Sequence, residues 1–259
     1  MNQARRAVWG WVAALVAGNL FLHLPISDVF DGLARRYGFT EYDTVTRVVF
    51  LIAGLACAAW LWRPSAHATG VRRAVVYLAA IVAIAHALLV VNGIEAIHYP
   101  QYALLAWLLV RSGMGLERSW MTATALGAID EIWQWQTLPR AVPGYLDWND
   151  IVLNAVGAAL GVLIVVRMRR APLTEPLLSA TRIGGALALA GLIALVGGPL
   201  IGRPFYRLTP GGRWFHLLSP FEAVVCVAAI WFLARDLAAG HAGISLPQSD
   251  REDGRRYLA

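Results

Sequence analysis

Apolar residues run along this chain in blocks of about 20, separated by short stretches rich in arginine, proline and glycine. The blocks fall approximately at 7 to 24, 43 to 62, 74 to 92, 97 to 111, 119 to 138, 149 to 167, 183 to 202 and 213 to 234. A bilayer core of roughly 30 Å takes about 20 apolar residues in a helix. The pattern therefore predicts an all-α polytopic transmembrane bundle of about eight spans over residues 1 to 234, with almost nothing left for a separate globular domain. The first block follows Arg5 and Arg6 as a signal peptide would, but Asn19 and His23 interrupt it and no small-x-small cleavage site precedes Pro25. It is read as a retained span. Between the first two spans, Val29, Phe30, Leu33 and Tyr37 recur at helical spacing and predict a short interfacial helix over 27 to 37. From 235 to 259 the apolar period ends, and that segment is expected to be a disordered cytoplasmic tail.

Composition agrees. Of the 259 residues, 58% are apolar and only 15% charged, with a mean hydropathy of +0.57, more than the core of a soluble domain needs. Cys57 and Cys226 lie inside apolar blocks, away from any partner motif, and are read as packing residues. All 22 basic residues are arginine. Without lysine there is no P-loop lysine, no Schiff base and no Ser-Lys dyad, because each needs an amine.

The net charge of +6 is a matter of topology rather than nucleic-acid binding. With a cytoplasmic N-terminus, 15 arginines fall on inner segments, and seven (Arg35, Arg36, Arg47, Arg140, Arg203, Arg207 and Arg213) fall on outer ones. The positive-inside bias then puts both termini in the cytoplasm. The aromatic and basic stretch from 203 to 214 is expected at the outer headgroups. Gly184, Gly191 and Gly198, seven apart, give span 7 a smooth packing face.

Polar residues inside spans are costly, at roughly 2.5 to 3.5 kcal/mol for a central charge, so those that persist are candidates for function. Asn19, His23, Arg47, His86, Asn92, Asp130, Glu131, Gln134, Asp150 and Asn154 fall in or at the outer halves of their spans, and Glu222 is expected near the midplane of span 8. The distribution predicts an outward-open polar pocket. A transporter would need polar groups on both sides of the midplane. Glu95, His98 and Tyr102 are spaced to share one helical face. Asp147, Asp150, Asn154, Gly157 and Gly161 form one stripe down span 6. The short connection between spans 5 and 6 makes them an antiparallel hairpin, with Glu131 and Asn154 at similar depth.

The pattern Glu131-x-x-Gln134, Pro139-Arg140, Asp150-x-x-x-Asn154-x-x-Gly157-x-x-x-Gly161, with His98-x-x-x-Tyr102 upstream, resembles the VanZ-like family of bacterial membrane proteins. The matching residues run from Glu95 to Gly161, placing a VanZ-like core at about 74 to 168. The family takes its name from a small membrane protein associated with teicoplanin resistance. The resemblance implies a multi-pass protein of the bacterial cytoplasmic membrane, with a polar site facing outward toward the cell envelope.

Among these residues, Glu131 and His98 are the candidate catalytic groups. A carboxylate buried near Trp133 and Trp135 suits proton transfer, and Glu95 on the same face would orient His98 as acid or base. The bland alternative is a set of buried structural hydrogen bonds. Arg140 has the fork geometry for a phosphate or carboxylate, or for a salt bridge to Asp150 or Asp147. Gln134, Tyr102, Asp150 and Asn154 complete the candidate binding set, with Asp150 and Asn154 also suited to capping span 6. His216 and Glu222 flank Pro220, where a kinked span is the alternative to a pocket lining. No cofactor is indicated. Glu95, Asp130, Glu131, Asp147 and Asp150 offer hard oxygen ligands for a divalent cation such as magnesium or calcium, while zinc, serine-hydrolase and dinucleotide motifs are absent. The expected partners are membrane lipids and a lipid-linked cell-wall precursor, with no nucleic acid. The leading expectation is a protein that binds, and as an enzyme would modify, such an anionic lipid at the outer leaflet. The alternatives are a non-enzymatic accessory protein with a structural polar core and, last, a small-molecule transporter.

Overall fold

A computed structural model describes residues 3–63, 68–137, 146–168 and 215–242, which are helical apart from short connections, with no strand among them. The helices are α1 (Gln3–Tyr37), α2 (Phe39–Trp62), α3 (Ala68–Leu88), α4 (His98–Arg111), α5 (Leu116–Thr137), α6 (Trp148–Met168) and α7 (Pro220–Ala242), with a 3₁₀ turn, Gly93–Ile97, leading into α4. Span 7, the 203 to 214 stretch, Arg140 and residues 243 to 259 lie outside the described residues.

Three of these helices are long and apolar enough to cross a membrane, within Arg5–Tyr37, Phe39–Trp62 and Trp148–Met168. The apolar parts of α3 and α7, Ala74–Leu88 and Pro220–Leu233, are shorter. At 1.5 Å per residue the 14 residues of α4 reach only about 21 Å. The expected interfacial helix over 27 to 37 does not form separately. Instead α1 is continuous for 35 residues with Pro25 inside it. Likewise α7 continues to Ala242, eight residues beyond the expected end of the span at 234.

The bundle is organised around α6, which is buried on nearly every side: Leu153, Ala155, Val156, Ala158, Ala159, Val162 and Val166 have no exposed surface, and neither has the one polar residue among them, Asn154. A helix apolar on every side belongs in the interior. Its nearest companion is α4, which runs parallel to it, and two glycines explain how closely they approach. A Cβ at Gly157 would stand 2.7 Å from the His98 carbonyl oxygen and 2.8 Å from that of Tyr99, and one at Gly161 would overlap the Ala103 carbonyl. Small residues at such a crossing let two backbones meet. α5, α3 and α7 close around the same helix, while α1 and α2 present Phe21, Val29, Leu51, Ile52 and Leu55 outward. Cys57 and Cys226 are free thiols packed against the core.

The two ends of the bundle differ chemically. At one end α1 begins, with Arg5 against Gly113 in the α4–α5 turn. The Arg72, Arg111 and Arg167 guanidinium groups lie over the rings of Trp62, Trp107 and Trp60 there at 5.5 to 5.6 Å. Asp130, Glu131, Asp147, Asp150, Glu222, His98 and His216 sit at the other end, where α4, α6 and α7 begin and α5 finishes.

Candidate functional site

α6 starts because Asp147 caps it. The Asp147 Oδ1 accepts the backbone N–H groups of Asn149 at 3.1 Å and Asp150 at 3.3 Å, satisfying two of the four unpaired donors of the first turn. Capping was expected from Asp150 and Asn154. With Asp147 in that role, both of those side chains are released to turn toward α4. Burial and the neighbouring Asp150 carboxylate push the Asp147 carboxyl up to about 7.

Asp150 Oδ2 lies 3.4 Å from His98 Nε2, and the opposite ring nitrogen, Nδ1, lies 2.7 Å from Asn154 Oδ1. On its other side Asn154 donates from Nδ2 to Glu131 Oε1 at 3.5 Å. One buried amide thus bridges a histidine on α4 to a carboxylate on α5. The His98 ring stacks on Tyr102 one turn later, with centroids 6.2 Å apart, and the Tyr102 hydroxyl donates to Asp130 Oδ2 at 3.1 Å. Gly127 makes room for this, since a Cβ there would meet both Asn154 and Tyr102 within 3 Å. A shallow crevice lined by Asn19, Leu20, Tyr102, Leu126, Ile129 and Asp130 opens between α1, α4 and α5.

The structure therefore brings together His98, Tyr102, Glu131, Asp150 and Asn154 at one end of the bundle and adds Asp130 to them. Gln134 lies one turn beyond Asp130, with its Nε2 buried. Nothing is placed for Arg140. Glu131 is only 2% exposed, but Trp133 and Trp135 are 43% and 39% exposed, and Trp133 donates to the Leu20 carbonyl of α1 rather than covering Glu131. α4 and α6 enclose it instead.

Glu95 does not orient His98. It sits in the 3₁₀ turn, where its Oε2 accepts Val91 N–H at 2.6 Å and its Oε1 accepts Asn92 Nδ2 at 2.9 Å. Burial, with Asp150 and Asp147 nearby, raises its carboxyl well above the usual range. The same connection is fastened from α2: Asp43 Oδ1 accepts Gly93 N–H at 2.6 Å, while Arg47 donates to Asp43 Oδ2 at 2.8 Å, to the Val91 carbonyl at 3.1 Å and to His86 Nε2 at 3.4 Å. Arg47, His86 and Asn92 thus belong to a second network, which fixes the entrance of α4.

Glu222 stands in the first turn of α7 rather than about nine residues into a helix, and Pro220 begins that helix instead of kinking it. Ser219, Pro220 and Glu222 form the start of α7: Ser219 Oγ accepts Glu222 N–H at 3.3 Å and Glu222 Oε2 accepts Ser219 N–H at 2.7 Å, a capping box with proline at the first helical position. The sequence Ser-Pro-Phe-Glu carries that signal. His216 Nε2 lies 3.0 Å from Glu222 Oε1. Asn149, absent from the sequence-derived candidates, ties this start to α6: it donates to the carbonyls of Leu89 at 3.0 Å and His216 at 2.7 Å and accepts Leu218 N–H at 2.9 Å.

Chemically, the arrangement offers one buried carboxylate, one partly buried carboxylate and a buried imidazole whose polar atoms converge from three helices. No family model, characterised protein or solved structure matches the chain.

Proposed function

We propose that the chain is a VanZ-like membrane enzyme of the bacterial cell envelope that binds and modifies an anionic lipid or lipid-linked cell-wall precursor at the outer leaflet of the cytoplasmic membrane. The observation that carries the reading is the convergence of His98, Glu131 and Asp150, bridged by Asn154, at one end of a bundle of apolar helices. Buried groups with paired polar atoms can exchange protons with a bound substrate. Glu131 and His98 exchange protons in this scheme. Tyr102, Gln134, Asp150 and Asn154 hold the reacting group, and Arg140 supplies the fork for a phosphate or carboxylate headgroup.

The proposed topology has about eight spans, both termini cytoplasmic, and the polar end outward. It is supported by the gathering of Arg5, Arg72, Arg111 and Arg167 with tryptophans at the opposite end. A link to glycopeptide susceptibility belongs to this reading through the VanZ-like resemblance alone.

The test is turnover of lipid phosphates and lipid-linked precursors by the purified protein in lipid vesicles. Wild-type turnover that Glu131→Gln lowers by about a hundredfold or more supports the proton-transfer role. Turnover unchanged in that variant removes it. A second reading, a non-enzymatic accessory protein with a structural polar core, is favoured by Asn154, which has no exposed surface and spends both ends of its amide on protein partners. An inert wild type whose glycopeptide phenotype survives Glu131→Gln would select it.

A further inference from the structure

We propose that His98, Glu131 and Asp150 form a binding site for one divalent first-row transition cation, Mn²⁺ or Zn²⁺. Each offers a ligand atom, and these atoms lie within 4.8 Å of one another. Three donors so placed share a point no more than roughly 2.8 Å from each, against bonds of about 2.0 to 2.2 Å, so side-chain shifts of under an ångström close the site. The His98 Nε2 to Asp150 Oδ2 separation of 3.4 Å already matches the edge of a tetrahedron with bonds of about 2.1 Å.

The hydrogen bonds around the histidine point the same way. Asn154 presents an oxygen to His98 Nδ1 at 2.7 Å, and an amide oxygen only accepts, so Nδ1 carries the proton. The Nε2 lone pair of the neutral ring then faces a carboxylate oxygen, which is repulsive unless positive charge stands between them. A second proton on the ring would supply that charge but would serve Asp150 Oδ2 alone. Asp150 Oδ1 would stay as it is, buried and without a hydrogen-bond partner among the described residues. A cation with its bound water engages both oxygens. Asn154 then plays the outer role that metal-bound histidines require, accepting the second ring N–H and holding the ring's orientation, while its Nδ2 steadies Glu131.

The donor set selects the ion. Two carboxylates and one imidazole, without a thiolate, suit Mn²⁺ or Zn²⁺, whereas Mg²⁺ and Ca²⁺ favour oxygen alone. Three protein ligands leave a coordination position open, as in catalytic rather than structural sites. That a phosphate oxygen fills this position rests on the function proposed above; the binding of the cation does not. With the cation bound, His98 and Glu131 act as ligands rather than exchanging protons, so a retained ion replaces the acid–base role proposed for them above.

The experiment uses the full chain in detergent, stripped with EDTA and titrated with Mn²⁺ or Zn²⁺ alone. We expect about one equivalent of at least one ion to be retained through gel filtration. For bound Mn²⁺, pulsed electron paramagnetic resonance should show coupling to an imidazole nitrogen. His98→Gln should abolish that coupling, and His98→Gln and Asp150→Asn should each weaken binding by at least about tenfold. Failure to retain either ion overturns the proposal, as does bound Mn²⁺ without nitrogen coupling. Should a variant misfold, the wild-type spectrum decides alone. A cation bound without lipid turnover overturns the proposed function and leaves the site standing, while turnover by a protein that retains neither ion does the reverse.

Discussion

His98 Nδ1 lies 2.7 Å from the side-chain oxygen of Asn154, a residue 56 positions later with no exposed surface. The contact joins α4 to α6, and the other end of the same amide reaches Glu131 on α5. Asn154→Ala removes both interactions at once and leaves a buried ring N–H and a buried carboxylate unsatisfied. A stability loss of about 1 to 3 kcal/mol for each orphaned group is expected, read as a lower midpoint of detergent-induced unfolding. A variant as stable as wild type would show that Asn154 does not hold the three helices together.

Gly161 should tolerate even one methyl group poorly. The atom its Cβ would strike is the Ala103 carbonyl, which is backbone and cannot rotate aside. Gly161→Ala should cost about 1 to 3 kcal/mol and separate α4 from α6. Gly54, with nothing within 4 Å of its Cβ position, is the control: Gly54→Ala should be neutral or slightly stabilising, by up to about 1 kcal/mol. Equal effects at the two positions would refute the close approach.

The capping box at the start of α7 predicts a measurable cost for its hydroxyl. Ser219→Ala should lower stability by about 0.5 to 2 kcal/mol. Backbone amide exchange should rise first at Phe221 and Glu222, while exchange in the interior of α6 stays unchanged. Uniform faster exchange throughout the bundle would contradict a local capping role.

Glu95 gives stability a pH dependence. Its carboxyl is raised in the folded protein by burial and by the neighbouring Asp150 and Asp147 carboxylates, with His98 opposing them. The folded state therefore holds the proton more tightly than the unfolded chain. The associated stabilisation is complete below about pH 4 and is lost as the pH rises through the folded value. Glu95→Gln cannot ionise, so its unfolding midpoint should vary less across that window than that of wild type. Superimposable profiles would rule the contribution out.

Much of this molecule is legible in the order of its residues. Block length and apolarity reflect the cost of placing each side chain in lipid, which is local, so helices near the expected positions follow from sequence. The spacing of Asp150, Asn154, Gly157 and Gly161 places them along one stripe for the same reason, because a regular helix turns by a constant angle. Ser219 and Glu222 were as readable as these, since a capping box spans four residues.

Which partners each polar group takes was decided only by tertiary structure. Periodicity aligned Glu95 with His98, yet the 3₁₀ turn before α4 rotates Glu95 back onto Val91 and Asn92. Pro25 reads as the end of a span, yet α1 continues through it. Asn149 reads as an ordinary polar residue at a helix start, and only the arrival of residues 89, 216 and 218 beside it makes it a staple. These outcomes depend on close packing between segments tens of residues apart, where a missing Cβ at Gly157 or Gly161 sets which backbone can approach. The convergence of His98, Glu131 and Asp150 is of that kind: the sequence supplies three groups on three helices, and the α4–α6 contact brings them within reach of one another.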